Sequence, residues 1–213
     1  MADPILYGPA YSTYVRAVRL ALEEKGVPYR LEEVDILSDA HTLPEHVARH
    51  PFAKVPAFEH DGFKLYETRA ITRYVDGAFD GPDLQPADAR GRARMDQIIS
   101  IIDAYAYAPI IGQIVIQRLV VPLQGGTPDE AAIEGAVPMA QTCVDALESL
   151  LSDDLYMIGD SISLADLHVI PVFDYYRQTP EGKKLLANAP KLGRWWAAVG
   201  ERESVAKTAP SLG

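Results

Sequence analysis

The run Val55-Pro56-Ala57-Phe58-Glu59-His60-Asp61-Gly62-Phe63-Lys64-Leu65-Tyr66-Glu67-Thr68-Arg69-Ala70-Ile71 holds two short apolar segments, 55–59 and 63–66, parted by His60-Asp61-Gly62. Asp-Gly between apolar runs favours a tight turn with positive φ at both central residues, so the segments are expected to pair antiparallel. A helix should open at about Thr68, with Ile71, Tyr74, Val75 and Phe79 on one face. Toward the N-terminus, Ile5-Leu6-Tyr7 is a continuous apolar run ended by Gly8-Pro9, the pattern of a buried strand. Ser12 or Thr13 can cap the next helix, whose apolar positions are Val15, Val18, Ala21 and Leu22; Gly26 and Pro28 end it. A second strand over about residues 29–36 completes a β-α-β unit, with parallel strands and a right-handed crossover. Residues 37–51 carry two prolines and three histidines (His41, His46, His50) and read as a loop with a short helix.

The order βαβ followed by ββα is that of a thioredoxin-like domain. Beyond Asp80-Gly81-Pro82-Asp83-Leu84-Gln85-Pro86-Ala87-Asp88, a Pro/Gly/Asp-rich linker, helical spacing persists to the neighbourhood of residue 206. Helices are expected at about 88–121, 128–151, 163–177, 181–187 and 190–200. Ser163-Leu164-Ala165-Asp166 is a capping-box variant, flanked by Ile162 and Leu167 as a hydrophobic staple. The expected architecture is an α/β thioredoxin-like domain over residues 1–80, a linker at 81–89 and an all-α domain over 90–213.

Among 213 residues, 30 are acidic and 20 basic, leaving a net charge of −10, and no Lys/Arg run exceeds two residues. Neither a nucleic-acid surface nor an anionic-membrane surface is expected from that balance. The apolar stretch 98–121 is cut by Asp103, Pro109, Gly112 and Arg118, so it reads as a buried, kinked helix rather than a membrane span. One cysteine, Cys143, cannot close an internal disulfide. With no basic leader in Met1-Ala2-Asp3-Pro4, this suggests a reducing, cytoplasmic setting.

Thioredoxin-like domains often act on thiols through Cys-x-x-Cys at the start of the first helix. Here that turn reads Gly8-Pro9-Ala10-Tyr11-Ser12-Thr13, which excludes a dithiol mechanism and leaves a hydroxyl in place of the thiol. Ser12 can donate a hydrogen bond to a thiolate brought by a ligand, aided by the positive end of the helix. Bringing a thiol with a pKa near ~8.5 to neutrality takes about 2.7 kcal/mol. A hydrogen bond to a charged group gives roughly 1.5–3 kcal/mol and a helix end roughly 0.3–1, so one hydroxyl suffices. Ser12 is equally readable as a simple helix cap.

A second constellation joins Lys54-Val55-Pro56 to Glu67-Thr68. Proline before a thioredoxin-type strand is commonly cis, which turns the preceding backbone outward to pair with an extended peptide. Glu67-Thr68 opens a helix whose free N–H groups suit a carboxylate, while Glu67 suits a cationic amine. Singly these residues are ordinary capping positions; together they describe a site for a small zwitterionic peptide bearing a thiol. Metal binding is not expected, because His41, His46 and His50 do not share one helix face. His168 and Cys143 read as core residues.

The segment from Ile5 to Phe79 resembles the glutathione-binding domain of cytosolic glutathione transferases. The likeness lies in Ser12-x-x-x-Arg16, Pro51-Phe52-x-Lys54-Val55-Pro56 and Leu65-Tyr66-Glu67-Thr68-Arg69-Ala70-Ile71. The helical remainder, with Ser163-x-x-Asp166, is similar to that family's C-terminal domain. The serine-type classes (phi, theta and bacterial relatives) match best. The resemblance implies that Ser12 stabilises the glutathione thiolate and that Val55 pairs through its backbone next to a cis Pro56. It places Glu67 and Thr68 at the γ-glutamyl end, and His41 and Lys54 near the glycyl end. It also implies a homodimer, with Phe52 entering the partner subunit, and glutathione as co-substrate with no metal or prosthetic group.

Several departures bear on this. Threonine follows Glu67 where the family usually has serine, which keeps the hydroxyl. Thr42 stands where phi-type sequences often carry lysine, removing one glycyl contact. The zeta-type Ser-Ser-Cys is missing, which argues against a maleylacetoacetate isomerase. Tyr7, at the end of the first strand, is the alternative hydroxyl, as in tyrosine-type transferases. The second substrate lies between the domains in this architecture, with Tyr11, Tyr105 and Ile110 as candidate contacts, joined by Tyr107, Ile114, Tyr175 and Tyr176. The activity implied is conjugation of glutathione to electrophilic, apolar acceptors, with glutathione-dependent peroxidase chemistry by the same thiolate. The alternative is a non-catalytic ligand-binding or protein-interaction module.

Overall fold

Four short strands, β1 (Ile5–Tyr7), β2 (Arg30–Glu32), β3 (Ala57–His60) and β4 (Phe63–Tyr66), form one sheet in the computed structural model, which describes residues 2–210. Their order is β2-β1-β3-β4, with β1 parallel to β2 and antiparallel to β3, and β3 antiparallel to β4. The β3–β4 turn has φ 48° at Asp61 and 79° at Gly62, the double positive-φ geometry that Asp-Gly favours. β2 is shorter than the expected 29–36. Its partner β1 offers three residues, Ile5 to Tyr7 against Arg30 to Glu32, before Gly8-Pro9 leaves the sheet.

Helix α1 (Thr13–Glu24) packs against α3 (Thr68–Ala78). Val15, Val18, Leu22, Ile71 and Val75 are buried on these helices, beside Leu6 and Phe58 of the sheet. A 3-10 turn over Ala40–Thr42 and a short helix α2 (Pro44–Val47) occupy the β2–β3 connection.

Two compact units divide the chain: Met1–Leu84 with Glu203–Gly213, and Gln85–Arg202. Both edges differ from the expected 1–80, 81–89 and 90–213. Residues 81–84 belong to the first unit because buried Lys25 donates to the Asp76 carboxylate and to the carbonyls of Asp76 and Pro82. Leu84 is fully buried, and its N–H is held by Asp76 at 2.8 Å. At the other end, a short helix over Glu203–Lys207, absent from the sequence reading, falls with α1. Arg16, 1% exposed, donates to the Val205 carbonyl at 3.3 Å and to Thr208 Oγ1 at 3.4 Å. Arg19 donates to the carbonyls of Lys207 and Thr208, and Ser204 hydrogen-bonds Glu24.

The second unit is helical. Asp88 caps α4 (Ala89–Ile101), accepting from the N–H groups of Arg90 and Gly91. The chain stays helical to Leu123, a run of 35 residues long and apolar enough to cross a membrane by length and composition alone. Over Ile102–Val120 it is wound as a π-helix, whose wider turn accommodates Pro109, a residue that lacks an N–H and crowds the preceding turn. Ile102, Ala106, Ile110, Ile114 and Val115 of this run are buried, and Arg118 pairs with Glu130 and Glu181. α5 (Val121–Leu123), α6 (Glu130–Leu150), α7 (Leu164–Tyr176), α8 (Pro180–Leu186) and α9 (Pro190–Val199) follow; the terminal helix Glu203–Lys207 of the first unit is α10.

α7 is buried at every residue. Its first turn is set by Asp166, fully buried, whose carboxylate accepts from the N–H groups of Met157 and Ser163, the Ser163 hydroxyl and Trp195 Nε1, each at 2.8 Å.

Candidate functional site

Sheet register, more than any single residue, assembles the site. Tyr7 pairs with Ala57 and with Glu32, and Ala57 pairs with Tyr66. The chain therefore leaves β1, enters β3, leaves β4 and leaves β2 at one end of the sheet. The loops there carry Ser12, Lys54-Val55-Pro56, Glu67-Thr68 and, further along, His41. Gly8 makes the close approach possible: it has φ 144°, and a Cβ there would lie 2.5 Å from Val15 Cγ2 and 3.1 Å from Val55 Cβ.

Ser12 is the N-cap of α1, in extended backbone, with Oγ accepting from the Val15 N–H at 3.4 Å. Among the described residues its own O–H finds no acceptor, so the proton is left to donate. The side chain is half-buried at the positive end of a twelve-residue helix. Tyr7, the alternative hydroxyl, is a half-buried strand residue with the Arg49 guanidinium 4.4 Å from its ring centroid.

The Val55–Pro56 bond is cis, and Val55 stands outside the strand ladder, whose register begins at Ala57. Glu67 has φ 72° and ψ 114°, an unusual backbone for a residue with a Cβ, and non-glycine strain of this kind concentrates at functional positions. Its exposed carboxylate makes no hydrogen bond or ion pair among the described residues. Thr68 follows as the buried first residue of α3. Lys54 is exposed and its ammonium is unpaired among the described residues; His41 is half-buried in the 3-10 turn. An acidic side chain and a helix N-terminus thus stand at one loop of this sheet end, with a free cation at another, a charge pattern that suits a zwitterion.

The other expected residues scatter. Tyr11 donates its hydroxyl to Asp35 at 3.0 Å. Burial, then that acidic partner, pushes its pKa up to about 12. Asp35 gave no sequence signal, since its partner lies 24 residues away. Tyr105 is exposed on the π-wound segment of the second unit. Ile110 is 4% exposed and lines a cavity of about 20 Å³ inside the helical unit with Ala106, Val144 and Tyr176. It is turned into that core rather than onto an open surface, as are Tyr175 and Tyr176. Phe52 is 67% exposed, its ring edge-on to His50 and Tyr66. His46 stacks on His50 instead of joining His41, and burial lowers the His50 pKa below the usual imidazole value. Cys143 is buried, and burial pushes its thiol pKa up.

Two family models match the chain. The family described as "Glutathione S-transferase, N-terminal domain" matches residues 3–77, and "Glutathione S-transferase, C-terminal domain" matches residues 102–203. Glutathione S-transferase F13 of Arabidopsis thaliana is 33% identical over 209 residues, covering 97% of this chain and 95% of that protein. Glutathione S-transferase 3 of Zea mays is 32% identical over 216 residues, covering 100% of this chain and 96% of that protein. Among solved structures, glutathione transferase F7 of Populus trichocarpa superposes with a TM-score of 0.85 at 33% identity, over 97% of each chain. Glutathione S-transferase I from maize, in complex with an atrazine glutathione conjugate, gives 0.83 at 31% identity, over 98% of this chain and 97% of that one. The chain belongs to the glutathione S-transferase family, and the relatives named above are plant glutathione S-transferases.

Proposed function

We propose that the protein is a glutathione transferase in which Ser12 holds the glutathione sulfur as a thiolate. The observation that carries this is the unspent Ser12 proton: Oγ accepts from the Val15 N–H, so its O–H remains for a ligand at the helix end. The Val55 main chain pairs with the cysteinyl unit beside cis Pro56. Glu67 takes the γ-glutamyl ammonium, and Thr68, with the α3 N-terminus, takes its carboxylate. His41 and Lys54 face the glycyl carboxylate. In the reaction the thiol proton passes to solvent, the sulfur lone pair forms a bond to an electrophilic carbon of an apolar acceptor, and the leaving group departs with its bonding electrons. Tyr11, its hydroxyl held by Asp35, is a proposed acceptor contact. The maize relative solved with a glutathione conjugate supports this substrate class.

The protein is further proposed to act as a homodimer in a reducing, cytoplasmic setting. Exposed Phe52, backed by His50 and Tyr66, is the side chain offered to the second copy.

Retention on immobilised glutathione and turnover of an aryl halide test the reading. Ultraviolet difference spectra should show thiolate from bound glutathione near neutral pH. Ser12→Ala should lose that signal and lower kcat/KM roughly 10- to 100-fold, the worth of one hydrogen bond to a charged sulfur. Tyr7→Phe should change both little; loss of thiolate in Tyr7→Phe alone would move the chemistry to Tyr7. Retention without turnover of any electrophile would make the chain a glutathione-binding module instead.

A further inference from the structure

The loop before cis Pro56 has little to hold it. Pro51 and Phe52 are exposed, Ala53 turns with φ 50°, Lys54 is exposed, and strand pairing begins only at Ala57. A buried side chain hydrogen-bonds its main chain. His46, on α2 and 1% exposed, places Nε2 at 2.7 Å from the Lys54 carbonyl oxygen. A carbonyl only accepts, so the proton of this bond sits on Nε2. The His46 carbonyl accepts in turn from the N–H groups of Arg49 and His50, and the His50 carbonyl from Ala53, so both ends of the bond are tied to the same short stretch.

Behind it runs a column of rings. His46 stacks on His50 with centroids 6.5 Å apart and planes at 22°, and His50 lies 4.9 Å from Tyr66, the residue before Glu67. The column thus joins the Lys54–Val55 loop to the strand end that delivers Glu67-Thr68.

We propose that His46 is a positioning residue of the glutathione site, fixing the Lys54–Val55 main chain through its Nε2–H. The inference rests on the reading of Lys54, Val55 and Glu67 as glutathione contacts. His46 touches no substrate atom in this scheme; it acts through the loop.

The test compares His46→Gln, whose amide Nε2 reaches the same carbonyl, with His46→Met, which fills the space without a donor. Thermal melting checks that each folds. With an aryl halide as acceptor, H46M should raise KM for glutathione about tenfold, the usual consequence of orphaning a carbonyl at a binding loop, with kcat within about twofold. H46Q should stay within about twofold of wild type in both. Calorimetric titration with S-methylglutathione, which cannot ionise at sulfur, should show the same split in affinity. If H46M does not fold, His46→Asn, too short to reach the carbonyl, replaces it and should bind weakly beside H46Q. Equal affinity in wild type and every variant, or equal weakening in H46M and H46Q, would overturn the proposal. Wild-type protein that fails to bind S-methylglutathione removes the site itself and the positioning role with it, a result distinct from binding that ignores residue 46.

Discussion

At the level of single residues the proposed chemistry rests on unspent hydrogen-bonding capacity. Ser12 accepts from the helix and keeps a proton, while Glu67 and Lys54 are left without partners among the described residues. Tyr11 shows the opposite: its hydroxyl is committed to Asp35, and a pKa of about 12 keeps it a donor throughout the working range. His50 carries a pH consequence. Burial, opposed in part by the nearby Glu67 charge, lowers its pKa below the ordinary imidazole value of about 6.5. Below that pH the unfolded chain binds a proton that the folded chain refuses, so this residue's contribution to stability falls with acidification. Urea unfolding at about pH 7.5 and about pH 5.5 should show wild type losing more stability than His50→Asn between the two. Identical losses would mean that His50 does not titrate differently on folding.

At the level of elements, Asp166 shows how much one carboxylate can organise. Four donors converge on it from the loop at Met157, from the α7 cap and from Trp195. Asp166→Ala would bury those donors without an acceptor and should cost roughly 2–4 kcal/mol in chemical denaturation, with Asp166→Asn intermediate because the amide keeps one acceptor. This helix start was legible in the sequence, since Ser163 and Asp166 lie within one turn. Asp-Gly likewise specified the hairpin, and Ser12 the cap of α1, because each signal is local. The π-winding around Pro109 was legible only as a bend, since proline announces a disturbed helix but not how neighbours absorb it. The helix at Glu203–Lys207 escaped because five residues show no periodicity and its reason lies at Arg16. The proposed site divides along the same line. Residue types at Ser12, Val55-Pro56 and Glu67-Thr68 carried it, whereas His46 declared itself only through a bond to a carbonyl eight residues on.

At the scale of the whole molecule, the two compact units do not follow the order of the chain. The first is closed by Glu203–Gly213 after the entire helical unit has intervened. A chain ended after Arg202 would take the Val205 carbonyl and the Thr208 hydroxyl from the Arg16 guanidinium and uncover the part of α1 that α10 packs on. Hydrogen bonds from a charged group contribute roughly 1.5–3 kcal/mol each, a large share of a domain's stability. Such a truncation should melt at a lower temperature and lose retention on glutathione, although every proposed contact residue is still present. Unchanged retention would show that α10 is dispensable.

Arg16 and Thr208 are 192 positions apart. During synthesis the β1–α3 segment emerges before the helical unit, yet Val205 and Thr208, which accept from its buried Arg16 guanidinium, follow only after that unit. Vectorial folding of this unit therefore waits for residues 203–208, and a nascent-chain assay should find it protease-sensitive until they have left the ribosome.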